Sequence, residues 1–126
     1  MVAVPRILFV IPGILAGLFV PAVIVDSPHS APPNTVGMSF MDFTKDTVYL
    51  HRGQYLTFVD NSRNIHEIGP GNNGRITSQV PGEPMTGIHL MQTNTTYKTG
   101  PWLKTGKFYV TCGVHTMMNL TVVVLP

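Results

Sequence analysis

Short bursts of alternating apolar and polar residues fill the chain after Val36, and glycine, proline or asparagine separates one burst from the next. A period of two places successive side chains on opposite faces of a strand, whereas a helix repeats every three to four residues. Several short strands in about 90 residues indicate an all-β fold, a Greek-key β-sandwich. The predicted strands are residues 47–50, 55–59, 107–111 and 120–124, with weaker candidates at 76–80 and 87–91.

A different pattern occupies the start of the chain, where residues 7–25 contain no charged or strongly polar side chain. A helix of this length reaches about 28 Å, close to the hydrocarbon thickness of about 30 Å. Arg6 precedes the run and no arginine or lysine directly follows it, which places the remainder of the chain outside the cytoplasm. We expect residues 1–26 to form an N-terminal hydrophobic helix, either a signal peptide cleaved near residues 20–22 or a retained membrane anchor.

The composition changes after this apolar run. Residues 27–35 are rich in proline and serine and have no hydrophobic period, which predicts an extended linker. The folded domain then comprises residues 36–126, a length that suits one hydrophobic core. We expect this domain to be monomeric.

Charged side chains are sparse and spread along the chain. Eight Lys and Arg residues and six Asp and Glu residues give a net charge of +2, without a basic block that could neutralise a row of phosphates. We therefore expect no nucleic-acid partner. A hydrophobic content of 44% with 11% charged residues also excludes intrinsic disorder.

The candidate chemistry centres on the single cysteine. Cys112 is followed at intervals of three by His115 and Met118, so one short loop carries a thiolate, an imidazole and a thioether. These are copper ligands by type, and two His with one Cys and a weak Met form an electron-transfer site. His66, which follows the predicted strand 55–59, is the candidate for the second imidazole. Taken alone, Cys112 would favour a buried structural thiol, but the whole pattern favours a metal ligand.

Two stretches of sequence contain or precede these candidate ligands. They are Gly53-Gln54-Tyr55-Leu56-Thr57-Phe58-Val59-Asp60-Asn61 ahead of His66, then Gly106-Lys107-Phe108-Tyr109-Val110-Thr111-Cys112-Gly113-Val114-His115, Met118 and the closing valine-rich strand. With these motifs the chain resembles the cupredoxins, small type 1 blue copper proteins of the plastocyanin and azurin group, over about residues 40 to 125. The short ligand loop is most similar to that of amicyanin.

This resemblance implies one copper ion, with His66, Cys112 and His115 as equatorial ligands and Met118 as the axial ligand. Three positions depart from the family pattern. Thr116 and Met117 stand where proline and an aromatic residue are common, and Met117 could compete with Met118 as the axial donor. Glu67 stands where an asparagine often ties the two ligand loops together, which leaves that bond open.

The resemblance further implies an extracytoplasmic carrier that shuttles single electrons between redox proteins. Partners would dock briefly near His115, and the candidate contact residues are Met117, Pro70 and Met85. Four protein ligands leave no open position for a substrate, and the sequence shows no catalytic triad or paired acids, so we do not expect an enzyme.

Two other functions remain open. A copper-trafficking or storage protein would hold Cu(I) through the same site, and the Met117 and Met118 pair and the soft cluster of Met85, His89 and Met91 would suit that ion. That cluster is equally an ordinary strand with an apolar face. A structural sandwich without metal is the third possibility.

Overall fold

Nine β-strands and no helix make up the part of the chain that the structure, a computed structural model, describes: residues 34–126 and the isolated Gly17. The predicted signal or anchor helix and linker residues 27–33 lie outside it. Within those bounds no helix has the length and apolar character needed to cross a membrane. The strands are β1 (Thr35–Met38), β2 (Thr47–His51), β3 (Thr57–Asp60), β4 (His66–Asn72), β5 (Arg75–Ile76), β6 (His89–Met91), β7 (Thr95–Lys98), β8 (Gly106–Cys112) and β9 (Asn119–Leu125).

The strands form two sheets. One has three strands in the order β1-β3-β7, and the other has the order β2-β9-β8-β4-β5, with β6 also paired to β4. The pairs β1–β3 and β2–β9 are parallel and the others are antiparallel. In the larger sheet β8–β9 and β4–β5 are consecutive strands joined by short turns, whereas the pairs β2–β9 and β4–β8 join segments that are distant in sequence. The all-β sandwich predicted from the alternating pattern is confirmed.

Alternation along the strands builds the core between the sheets. In β9, Leu120, Val122 and Val124 are buried while the residues between them are only partly covered. In β8 the alternation gives way to continuous burial from Val110 to Cys112, the last three residues of the strand. Trp102, between β7 and β8, is the largest fully buried side chain.

The two ends of the sandwich are well separated. At the site end, β4 and β9 begin and β8 ends. At the opposite end, called the distal end, β8 begins and β9 ends, and Gly106 there is six strand steps, about 20 Å, from Cys112. The chain enters at the distal end, where Thr57 donates to the carbonyl of Asn34.

The strongest strand predictions are confirmed within two residues at each boundary. The weak candidates are shorter than predicted, since only Arg75–Ile76 and His89–Met91 pair in the sheets. Three strands were not predicted. β4 contains Gly69, Pro70 and Gly71, and β1 and β7 lie on the outside of the smaller sheet. Residues poor in β-propensity become a strand in β4 because neighbours on both sides supply its hydrogen bonds.

Candidate metal centre

Three donor atoms converge at the site end. Cys112 Sγ lies 3.9 Å from His66 Nδ1 and 3.8 Å from His115 Nδ1, and the two Nδ1 atoms are 3.2 Å apart. The point equidistant from the corners of this triangle lies about 2.1 Å from each atom, which matches metal–imidazole bonds and is about 0.2 Å shorter than a metal–thiolate bond. Of the described residues, these three form the single group of His, Cys, Asp or Glu side chains with that proximity.

Strand pairing brings the distant His66 to Cys112. Cys112 is the last residue of β8 and lies opposite Ile68 of β4, two residues beyond His66. Residues two apart on a strand point to the same face, so His66 and Cys112 meet on one side of the sheet. The β4–β8 register therefore brings together His66 and Cys112, which are 46 residues apart in sequence.

The loop from Gly113 to Met118 is closed by its own backbone. Cys112 N donates to Met118 O over 3.1 Å, and Met118 N donates to His115 O over 2.9 Å. The amide of His115 points at Cys112 Sγ at 3.4 Å. A donor aimed at sulfur stabilises the thiolate, the form that binds metals.

A chain of hydrogen bonds behind His66 sets its tautomer. Ser62 Oγ donates to Asp60 Oδ1 over 2.7 Å, and it lies 3.1 Å from His66 Nε2. Because the hydroxyl proton is engaged by the carboxylate, the ring must carry its own proton on Nε2 and donate to the serine. The lone pair is left on Nδ1, facing Cys112.

Burial also favours the neutral imidazole. His66 is fully buried, and this desolvation lowers its pKa, as does the neighbouring His115. The Asp60 carboxylate and a backbone hydrogen bond with Ser39 oppose the shift, but burial dominates. Since a metal binds the neutral ring, the lowered pKa keeps His66 competent as a ligand at neutral pH.

Backbone contacts join the two ligand-bearing segments. Gly113 N donates to Glu67 O over 2.8 Å, so the main chain of Glu67 makes a link that an asparagine side chain was expected to make. On the other side of the loop, Gly74 adopts a left-handed φ of 79° and packs against Thr116, where a Cβ would come within 2.5 Å of the threonine methyl. The loop is held although Thr116 replaces proline.

The two methionines of the loop have opposite environments. Met118 is fully buried and Met117 is 80% exposed. A buried thioether beside Cys112 in the backbone network is suited to an axial position, whereas Met117 points to solvent. The metal-ligand roles of all four residues stay predictions.

The surface prediction needs correction. Pro70 and Met85 are buried in the fold, so they cannot form a docking patch, and only Met117 of the three candidates is exposed. Other apolar side chains are exposed around the site, which sequence reasoning did not identify. They are Phe40, Met41, Ile65 and Val114.

The soft cluster in the middle of the chain is divided between the core and a ring stack. Met85 and Met91 are buried core residues. His89 lies on the ring of Tyr97, with 4.0 Å between ring centroids.

Sequence reasoning also missed Asp60 and Ser62. Asp60 Oδ1 accepts from the backbone amide of Ser62 as well as from its hydroxyl, the pattern of an Asx turn. An aspartate at a strand end followed two residues later by serine is a turn signal that could have been read from the sequence.

No family model matches the chain, and no curated protein matches it. Several solved structures are similar to it. Amicyanin from Paracoccus versutus is 19% identical, with a TM-score of 0.59 over 79% of this chain and 86% of that one. An oxidized variant of amicyanin is 17% identical, with a TM-score of 0.62 over 76% of this chain and 85% of that one. A purple cupredoxin from Nitrosopumilus maritimus is 12% identical, with a TM-score of 0.59 over 72% and 98%.

These likenesses show that the chain has the cupredoxin fold. The fit of the side chains to copper rests on the site itself. A thiolate and two imidazoles in a compact triangle match the equatorial set of a type 1 copper site, which confirms the resemblance drawn from the sequence.

Proposed function

We propose that this chain is an extracytoplasmic electron carrier that holds one copper ion through His66, Cys112 and His115, with Met118 as the axial donor. The observation that carries the proposal is the triangle of donor atoms, with sides of 3.2 to 3.9 Å. Copper, when bound there, supplies a one-electron couple.

The protein's part is to keep the donors in place. Cys112 is fixed by a β-strand and His66 by the Ser62 hydrogen bond, and His115 by the closed loop. A three-coordinate set with a weak fourth donor is tolerable to both Cu(II) and Cu(I), so rigid ligands need little rearrangement when the charge changes. The sandwich behind them supplies that rigidity.

His115 provides the route to partners. It is half-buried, while its neighbours Val114 and Met117 are exposed by 52% and 80%. Together with Phe40, Met41 and Ile65 they form an apolar surface around the ring, called the site patch. A small apolar contact suits brief docking with a redox protein.

Two observations support an extracytoplasmic location. The apolar residues 7–25 predict passage through a membrane, and the amicyanin-like fold adds an argument by analogy.

The test is a titration of the full chain with Cu(II), followed by visible absorption and by voltammetry. We expect saturation at one equivalent, an intense visible thiolate-to-copper band and a reversible one-electron wave. Tight Cu(I) binding without colour or reversible redox would contradict the carrier and favour trafficking. Stability that is unaffected by copper would favour a metal-free sandwich.

A pair of matched variants assigns the axial donor. We expect Met118→Leu to raise the reduction potential, because loss of a thioether donor destabilises the more highly charged Cu(II). Met117→Leu, at the exposed neighbour, should leave the potential unchanged. The reverse result would assign Met117 instead.

A further inference from the structure

The charges of the domain are divided unequally between its two ends. The exposed cations of the distal end are Arg52, Lys98, Lys104 and Lys107. The site end has both signs in equal number among its exposed or partly exposed side chains: Lys45, Arg63 and Arg75 against Asp42, Asp46 and Glu67. Although the net charge of the sequence is small, the distal end is basic and the site end is nearly neutral.

Backbone hydrogen bonds, side-chain contacts and strand positions place the four basic residues at the distal end. Arg52 N donates to Leu125 O, and Gly53 N donates to Trp102 O, both over 2.7 Å. Lys98 is at the end of β7, with its ammonium 4.5 Å from the centre of the Tyr55 ring. The side chain of Lys104 packs against Gly82. Lys107 follows the first residue of β8.

Glu83, which follows the glycine that contacts Lys104, does not offset the cations. Glu83 is only 6% exposed, and among the described residues both its oxygens lack a hydrogen-bond partner. Burial raises the pKa of Glu83 to about 8, so this group is mostly neutral at pH 7. Exposed Tyr55 and Leu103 lie among the cations and add amphipathic and apolar contact area.

The chain reaches the domain at this same end. Asn34 accepts a hydrogen bond from Thr57, and the apolar run predicted to enter a membrane stops at Val25. The nine residues from Val25 to Asn34 can span at most about 30 Å. A retained anchor would therefore attach the domain through its distal end and hold that end within about 30 Å of the bilayer.

We propose that the distal end, built from Arg52, Lys98, Lys104 and Lys107, is a docking surface for anionic phospholipid headgroups. Basic residues near a membrane are attracted to anionic lipids. The short segment from Val25 to Asn34 would keep the distal end within reach of the lipid headgroups. The site patch then faces away from the membrane, about 20 Å further out, where redox partners can reach it. This surface is separate from the copper ligands and does not depend on them.

The test uses the full chain in lipid nanodiscs, of either phosphatidylcholine alone or a mixture with phosphatidylglycerol. Lysines are acetylated with a water-soluble reagent and quantified by peptide mass spectrometry. We expect Lys98, Lys104 and Lys107 to react at least three-fold more slowly on the anionic discs, and high salt to remove the difference. Lys45, at the site end, is the internal control and should react equally on both.

Charge variants sharpen the result. We expect Lys104→Gln combined with Lys107→Gln to abolish the protection of Lys98, while Lys45→Gln combined with Arg63→Gln leaves it intact. Equal reactivity of the distal lysines on both discs would overturn the proposal and leave an acidic protein as the occupant. Protection of Lys45 in place of the distal lysines would also overturn it, by turning the site end to the membrane. Neither outcome affects the copper spectrum, which tests the proposed function independently.

Discussion

The two ends of the sandwich share strands but differ in what their polar groups do. At the site end, polar groups are bonded to one another: Asp60 to Ser62, Ser62 to His66 and Gly113 to Glu67. At the distal end, four cations face solvent and Glu83 is buried without a partner among the described residues. One end is therefore arranged to fix ligand positions and the other to present charge, with a common core between them.

The first prediction is that the colour of the copper-loaded chain depends on the site end and not on the distal end. Cys112→Ser should abolish the visible band of the copper-loaded chain, because the thiolate that produces it is gone. The fold should persist, since serine is similar in size and the β4–β8 pairing uses the backbone. Visible absorption measures the copper band, and circular dichroism measures whether the fold persists. Arg52→Gln at the distal end is the control and should keep the band; an unchanged spectrum in Cys112→Ser would refute the ligand assignment.

The second prediction concerns the core on the distal side. Trp102 is fully buried, packs edge-on against Phe108 and donates to Thr99 Oγ1 over 3.0 Å. Trp102→Ala should lower the free energy of unfolding by about 3 to 5 kcal/mol, through the cavity and the lost contacts. Denaturant titration checks this. The folded fraction of the variant should keep the blue spectrum, and loss of colour in that fraction would show that the two ends are coupled.

The third prediction is a pH dependence with its origin at the distal end. The pKa of Glu83 is raised from 4.5 to about 8, so the native state holds more protons than the unfolded state between those values. Stability from this group is therefore greatest below pH 4.5 and falls by about 4 kcal/mol as the pH rises to 8.

Glu83→Gln should flatten this slope, as measured by denaturant titration at pH 5, 7 and 9. The amide leaves a polar group buried at every pH, so the slope is the informative quantity and the absolute stability is not. Asp42→Asn, at an exposed residue, is the control and should keep the wild-type slope. An identical slope in Glu83→Gln and the wild type would disprove the assignment.

The fourth prediction, with the mildest change, concerns Ser62, which is hydrogen-bonded to the metal-ligand candidate His66. Ser62→Ala removes the acceptor for His66 Nε2 and frees the ring to turn. Copper affinity should fall by about 10 to 100-fold, the usual cost of losing a partner that orients a ligand. Competition with a chelator measures it, and Ser78→Ala at an exposed position should bind as tightly as the wild type. Full affinity in Ser62→Ala would mean that packing alone orients the ring.

Much of the site was predictable from the sequence because its ligands are concentrated in a short loop. Cys112, His115 and Met118 lie within seven residues, and their chemical types point to copper. His66 needed the family resemblance as well, since only the pairing of β4 with β8 brings it close. The strands around the loop were predictable because alternation is strong in β2, β8 and β9.

What the sequence did not reveal depends on contacts between distant segments. β4 has glycine and proline where a strand usually has branched residues, and it forms because β6 and β8 flank it. The burial of Pro70 and Met85 follows from that same pairing and from core packing, so a surface role could not be judged from residue type. The basic end is also invisible in the sequence, because its four cations are spread from position 52 to position 107.

The most direct measurement of the central claim is X-ray absorption at the copper edge on the full chain loaded with one equivalent of copper. We expect one sulfur and two imidazole nitrogens bonded to the metal, with the sulfur lost in Cys112→Ser and one imidazole lost in His66→Ala. Copper bonded only to nitrogen and oxygen, or a coordination sphere that is unchanged by both substitutions, would contradict the central claim.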